Sequence, residues 1–404
     1  MSRREFGRTA LGAAAGLLAS KEDVRVPPKR PGVQHANTII DAAVRQGEIP
    51  GAVLQVRADG TVMHEQAFGR RQFDRDVLLQ CDDVFPVASL TKPIVAAGVL
   101  QLCEAGAVRL DDVLARYLPE FRDPRVLLQY ELRDGSMVTR PARRPITIRQ
   151  LLTHTAGIHD GFVTSNRVMG TLYERAGVVY DLRLLLADKV RRLGPLPLAH
   201  DPGKAWTYGL SSDVAGRLIE VVSGQSLDRF LSRGIFEPLN MRETYFFVPP
   251  VARARLVARH IRRASGETSL MLLDSAKDSD ERYLSGGGGL HCTVADYGRF
   301  VQALLDGGRP ILSTASLDAM TRNHIGDLTA FGFAYGLSIG VATSKAPGRV
   351  PLPIGGFGWY GIYSTWFWTL PRRRAAIVFF SNIMDAEMNL PLFSRIVRAV
   401  EGAL

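Results

Sequence analysis

The 404-residue sequence predicts a mixed α/β (α+β) fold in which one sheet layer is split along the chain by a long helical insertion. Two observations predict it. Strand-like segments fall near both ends, at Ala52 to Arg57, Val62 to Phe68, Gly332 to Val341, Ile362 to Thr369 and Arg374 to Ser381. Between them, from about Leu110 to Tyr283, helical periodicity and Pro/Gly-rich loops dominate. The 46% apolar and 22% charged composition is that of a globular protein, so the split layer has enough apolar material for a core.

Taken in order, Met1 to Ser20 reads as an export signal. Ser2-Arg3-Arg4-Glu5-Phe6 is a twin-arginine pattern, and Leu11 to Ala19 is a short Ala/Gly-rich apolar run. That run is too short to span a bilayer, and no other stretch does better, so the expectation is an exported, periplasmic protein without stable membrane insertion. Lys21 to Pro31, rich in Pro and charge, looks like a linker, giving residues 1–35 to signal and linker. Thr38 to Gln46 predicts a helix, and the turn Ala58-Asp59-Gly60 joins the first two strands as a hairpin. Residues 36–109 form the first part of the α/β unit, 110–285 the helical unit, and 286–404 the second α/β part, which closes on a helix over Leu392 to Val400.

The net charge of +10 comes from 43 Arg and 7 Lys against 40 acidic residues. The arginines are scattered, with short clusters at Arg143-Arg144, Arg191-Arg192 and Arg372-Arg373-Arg374, and no basic stripe interleaves with aromatics. Nucleic acid is therefore not an expected partner. Cys81, Cys103 and Cys292 make neither a disulfide framework nor a metal spacing, so free buried thiols are expected, with no metal and no cofactor.

Chemistry centres on Val87-Ala88-Ser89-Leu90-Thr91-Lys92-Pro93. Val95, Val99 and Leu102 recur with helical spacing, Pro93 falls in the first turn, and Gly106 supplies a stop. Positions i and i+3 share a helix face, so Ser89 and Lys92 can meet. A serine hydroxyl needs an adjacent base to become a nucleophile, and lysine can be that base. With 22 Ser and 7 Lys, a Ser-x-x-Lys pair arises by chance roughly 0.4 times in such a chain, so the pair needs company. Ala205-Trp206-Thr207-Tyr208-Gly209-Leu210 precedes a helix marked by Val214, Leu218 and Val222, capped by Ser211 or Ser212 and ended by Gly224. Tyr208 thus stands on a loop at a helix start, where it is either a proton shuttle or an aromatic staple. Gly355-Gly356-Phe357-Gly358-Trp359-Tyr360-Gly361-Ile362 is a glycine-dense run whose backbone can approach a ligand, or simply turn. Gly336-Leu337-Ser338-Ile339-Gly340 fits Gly-x-Ser-x-Gly, but that motif needs a downstream histidine and the last one is His324; its flanks read as a strand.

The set Ser89-Leu90-Thr91-Lys92, Tyr208-Gly209-Leu210 and Trp359-Tyr360-Gly361 resembles the serine β-lactamase and penicillin-binding superfamily. Leu110-Asp111-Asp112, Ile146 to Gly157 and Gly234 to Met241 resemble its class C-like branch, and the likeness runs from about residue 36 to the C-terminus. It implies a β-lactamase-like fold, with an antiparallel sheet flanked by helices. It implies an acyl-enzyme on Ser89, with Lys92 and Tyr208 sharing the base role and the N–H groups of Ser89 and Ile362 as oxyanion hole. It also makes His154 part of a structural turn, a satisfied core histidine. Two departures matter: Leu210 stands where an amide is usual, and Trp359-Tyr360 replace a Lys-Thr or His-Thr pair. They weaken a β-lactamase or D-Ala-peptidase activity and resemble the family VIII carboxylesterases and related acyltransferases. Trp206, Leu210, Trp359, Tyr360 and Gly361 are then expected to line an apolar pocket for a small ester. An arginine folded in from the helical insertion would restore carboxylate binding. A cell-wall enzyme and a non-catalytic ligand-binding module are the competing classes; the intact Ser89, Lys92 and Tyr208 argue against the second.

Overall fold

Strands from the two ends of the chain join side by side into a single seven-stranded antiparallel sheet in the computed structural model, which describes residues 31–161, 166–179, 183–263, 265–271, 282–349, 352–385 and 389–404. The expected export signal and most of the linker lie outside the described residues. The elements that position the site are α1 (Pro31–Arg45), β1 (Gly51–Ala58), β2 (Thr61–Gly69), α2 (Thr91–Glu104), α3 (Ser211–Ser223), α4 (Val294–Leu305), β3 (Ala334–Tyr335), β4 (Gly340–Val341), β5 (Phe357–Gly361), β6 (Thr365–Leu370), β7 (Ala375–Ser381) and α5 (Leu390–Glu401). The strand order is β3-β4-β5-β6-β7-β1-β2.

β1 and β2 turn through Asp59 and Gly60, both at positive φ, as a two-residue hairpin of that hand requires. β1 is buried along its whole length because β7 covers its other edge, pairing Val53 with Phe380 and Gln55 with Val378. The helices α1 and α5 pack together, and α4 lies on β1, β6 and β7. α2 is buried almost all round, from Thr91 to Leu100, against α3 and the segment carrying Phe230 and Leu231. Complete burial of Ile94, Val95, Val99 and Leu100 contributes about 1.5–3 kcal/mol each, which fixes the helix that carries Lys92. Among the described residues no helix is long and apolar enough to cross a membrane, and Cys81, Cys103 and Cys292 are free thiols.

The structure differs from the sequence expectation in four places. The segment expected as one strand over Gly332 to Val341 is two short strands, because Ser338 takes φ +59° and Gly336 N–H bonds back to Ile339 O. The glycine-dense run before Ile362 is itself a strand, β5, whose glycines admit the neighbouring chain: a Cβ on Gly358 would stand 2.1 Å from Phe367 O. The helical insertion also holds a hairpin, Arg125–Tyr130 with Met137–Pro141, turning near Asp134-Gly135. Finally, neither Ser211 nor Ser212 caps α3; both hydroxyls are buried without a hydrogen-bond partner among the described residues, while Gly224 does end the helix at φ +68°.

Candidate active site

Ser89 lies in a single 3₁₀ turn, Ala88–Leu90, that runs directly into α2. Ala88, just before it, is held at φ +46°, a backbone region that costs an alanine energy and persists only under tertiary constraint. The constraint is visible: Val87 N–H donates to Leu290 O, Thr91 Oγ1 donates to Ala88 O at 2.7 Å and accepts from Leu290 N–H, and Tyr297 OH donates to Leu90 O.

Lys92, one turn on and buried, places Nζ 3.1 Å from Ser89 Oγ. The same Nζ lies 2.6 Å from Gly287 O and 4.5 Å above the centre of the Tyr208 ring. Lys92 therefore touches both other members of the predicted trio, and it meets Tyr208 through the ring face. The phenol oxygen of Tyr208 accepts a long bond, 3.4 Å, from Trp359 Nε1.

The Tyr208 loop is clamped by the segment before it in the insertion. Thr207 N–H donates to His154 O and Leu210 N–H to His159 O. A side chain at position 209 is impossible there, since a Cβ would come within 2.1 Å of Ile158 O. His154 packs its ring 4.7 Å from that of Tyr208. It is a core residue as expected, but not a satisfied one: neither ring nitrogen has a hydrogen-bond partner among the described residues. Burial, with Lys92 nearby, drives its pKa far below the ordinary histidine value, so the ring stays neutral.

Reasoning from sequence missed the support of Lys92. Asp213, in the first turn of α3, accepts from Tyr283 OH at 2.5 Å, Ser285 Oγ at 2.8 Å and Gly287 N–H at 3.3 Å. It thereby fixes the loop whose Gly287 carbonyl holds Lys92. A Cβ on Gly286 would stand 2.4 Å from Ser212 O, and one on Gly287 2.6 Å from Asp213 Oδ2. The glycine run 286–289 was the available signal for such a close approach.

The aromatic residues are placed differently from expectation. Trp359 and Tyr360 do not line an open pocket; both are buried, stacked on each other at 4.8 Å, with Tyr360 also stacked on Trp366 at 4.6 Å. The reason is Phe331, held at φ +51°, whose half-buried ring lies 5.7 Å from Tyr208, 5.8 Å from Tyr360 and 5.0 Å from Trp206. Trp206 and Leu210 are half-buried and keep partial exposure beside it. Gly361 ends β5 against the turn that carries Ser89: a Cβ there would stand 2.3 Å from Val87 O, so Ile362 follows in the immediate neighbourhood of the serine.

Ser338 is elsewhere in chemistry. It is fully buried, its Oγ donates to Leu152 O at 3.2 Å, and its N–H bonds the same carbonyl. The thiols of Cys103 and Cys292 are pushed up by burial, Cys103 to about 11, which disfavours a thiolate nucleophile.

Comparison with known proteins identifies the family. The Beta-lactamase family model matches residues 36–399. Esterase EstB of Burkholderia gladioli is 30% identical over 389 residues, covering 91% of each chain, and the lovastatin esterase of Penicillium rubens is 31% identical over 298 residues, 72% of this chain and 73% of its own. The solved structure of EstCE1, described as a hydrolase with promiscuous acyltransferase activity, superposes with TM-score 0.78 at 24% identity, over 92% of this chain and 98% of that one. The chain belongs to the Beta-lactamase family, with its mixed helix and antiparallel-sheet fold, and is a serine hydrolase-type enzyme.

Proposed function

We propose that the protein cleaves short-chain or aryl carboxylic esters through an acyl-enzyme on Ser89. The observation that carries this reading is the 3.1 Å contact between Lys92 Nζ and Ser89 Oγ on one buried helix turn. Ser89 Oγ bonds to the ester carbonyl carbon as its proton passes to Lys92. The resulting oxyanion is met by the N–H groups of Ser89 and Ile362, donors that are worth roughly 10²–10³ in rate each. Collapse expels the alkoxide, which leaves as the alcohol with a proton returned through Lys92 and Tyr208. Water then attacks the acyl carbon, releasing the acid and restoring Ser89; an alcohol in its place gives transesterification, an activity that the description of EstCE1 includes.

Leu210 and Trp359 favour esters over β-lactams and D-Ala-D-Ala peptides. A β-lactam carries its carboxylate on the carbon beside the scissile nitrogen, and a desolvated carboxylate there needs a cation or hydroxyl. Trp359 offers neither, being buried with its Nε1 given to Tyr208. The test is kcat/KM for p-nitrophenyl butyrate, nitrocefin and a D-Ala-D-Ala peptide on one preparation; a nitrocefin or peptide value at or above the ester value overturns the ester reading in favour of a β-lactamase or peptidase. We further propose export in a folded state by the Arg3-Arg4 signal. A reporter fused to the first thirty or so residues should reach the periplasm and lose export when both arginines become lysine.

A further inference from the structure

We propose that Arg349, stacked on Phe331 at the rim of the Ser89 site, is the subsite for a carboxylate carried by the ester substrate away from the scissile bond. This rests on the ester reading above and specifies the substrate class that the site prefers. Arg349 is exposed, with its guanidinium carbon 5.2 Å from the centre of the Phe331 ring, and it makes no ion pair among the described residues. Phe331 in turn touches Trp206, Tyr208 and Tyr360, so the guanidinium stands one aromatic ring away from the tyrosine over which Lys92 sits.

That placement is built by the backbone. Phe331 at φ +51° is an unusual conformation for a bulky residue, of the kind that clusters at ligand-binding sites. The turn around it is pinned to the strand-like segment before Arg349: Phe333 bridges Ala330 and Pro347, and Gly348 N–H donates to Gly332 O at 2.9 Å. Gly332 and Gly348 are themselves at positive φ, and a Cβ on Gly348 would stand 2.3 Å from the Phe333 ring. The buried Tyr360 phenol, driven well above its ordinary pKa by burial and by Tyr208, also feels Arg349 as a nearby positive charge.

A guanidinium on an aromatic face keeps its fork of N–H donors free at the edge, the arrangement suited to bidentate carboxylate binding. The separation from Ser89 decides which carboxylates qualify. Phe331 lies between Arg349 and Tyr208, so an anion held close to the scissile bond, as on the carbon beside a β-lactam nitrogen, is out of reach. A carboxylate across an aryl ring or a short chain from the ester reaches the rim. On this reading a carboxylate-binding cation comes from the loop leading into β5 and not from the helical insertion.

The experiment compares 4-(butyryloxy)benzoate with phenyl butyrate, and mono-4-nitrophenyl glutarate with 4-nitrophenyl butyrate, on the full chain. The expected result is an anionic-to-neutral ratio of kcat/KM that falls by about tenfold or more in Arg349→Gln for at least one pair, through KM, and is partly restored in Arg349→Lys. A ratio that stays the same in both pairs overturns the inference. Calorimetric binding of the same esters to Ser89→Ala protein, with and without Arg349→Gln, reads the subsite without turnover. Anion-selective binding that depends on Arg349, in a protein whose native form hydrolyses none of the esters, supports the subsite and overturns the ester-hydrolase reading instead.

Discussion

Two serines of this chain sit in short sequence motifs that announce a nucleophile, and the molecule treats them in opposite ways. Ser89 follows an alanine forced to φ +46°, and Ser338 is itself at φ +59°, so both lie in sharp turns. The difference is in what surrounds the hydroxyl. Ser89 faces a lysine amine at 3.1 Å, which in turn meets Gly287 O and the Tyr208 ring. Ser338 donates to a main-chain carbonyl, Leu152 O, which accepts a hydrogen bond but cannot remove a proton, and it is sealed from solvent. A strained turn positions a serine in either case; only a base and access make it a nucleophile.

Breaking each serine in turn is the largest test. Ser89→Ala should lower kcat for p-nitrophenyl butyrate by roughly 10³-fold or more, since the remaining groups bind but do not form a covalent bond. Ser338→Ala should retain most of the activity and lose about 1 kcal/mol of stability by denaturant melt, from one buried hydrogen bond. Near-native turnover in the Ser89 variant would reverse the assignment.

The next effect concerns how Lys92 is held. Gly287→Ala brings a methyl to 2.6 Å from Asp213 Oδ2, an atom of a carboxylate that is fixed by three donors through its other oxygen, so the loop must shift and carry the Gly287 carbonyl with it. A displacement of that kind should cost about 10²-fold, read in kcat with KM little changed. Unaltered kcat would show that Lys92 does not depend on this carbonyl. A smaller change is expected from Leu210→Asn, which adds an amide where the site is apolar. It should raise the nitrocefin-to-ester ratio of kcat/KM by about five- to tenfold, the worth of one hydrogen bond; an unchanged ratio would separate Leu210 from substrate choice.

The mildest test uses pH and applies to the fold around both serines. Burial lowers the pKa of His159 and His291 to about 4 and holds that of His154 well below its ordinary value. In the unfolded chain these rings bind protons near pH 6.5. Between the two values the unfolded state holds more protons than the native one, so stability rises with pH and is lost as pH falls from about 6.5 toward 4. Thermal melts across that window should show a falling Tm, and His291→Asn should flatten the slope. A level profile would contradict neutral burial of these rings.

The parts of the site that could be read in advance are those made by neighbours in the chain. Ser89 and Lys92 are one helical turn apart, so their meeting follows from helix geometry once Val95, Val99 and Leu102 mark the helix. The hairpin at Asp59-Gly60 and the end of α3 at Gly224 are local in the same way, because a positive φ selects glycine or aspartate. The insertion's hairpin was equally local, and its Asp134-Gly135 turn was present but outweighed by the helical periodicity around it. The broken strand at Ser338 had no such signal, since a serine at positive φ is imposed by the bond of its N–H to Leu152, 186 residues away.

By itself, then, the sequence picked out the serine, lysine and tyrosine that the fold brings together, and where the chain would alternate between sheet and helix. The tertiary structure alone decided what holds them: the Gly287 carbonyl on Lys92, 195 positions away, the Trp359 indole on Tyr208, 151 positions away, and the Phe331 ring that covers Trp359 and Tyr360 and seats Arg349. Motifs record chemistry that a short stretch supplies. Contacts between distant stretches depend on how strands from the two ends pair and how the insertion folds over them, and no local periodicity encodes that.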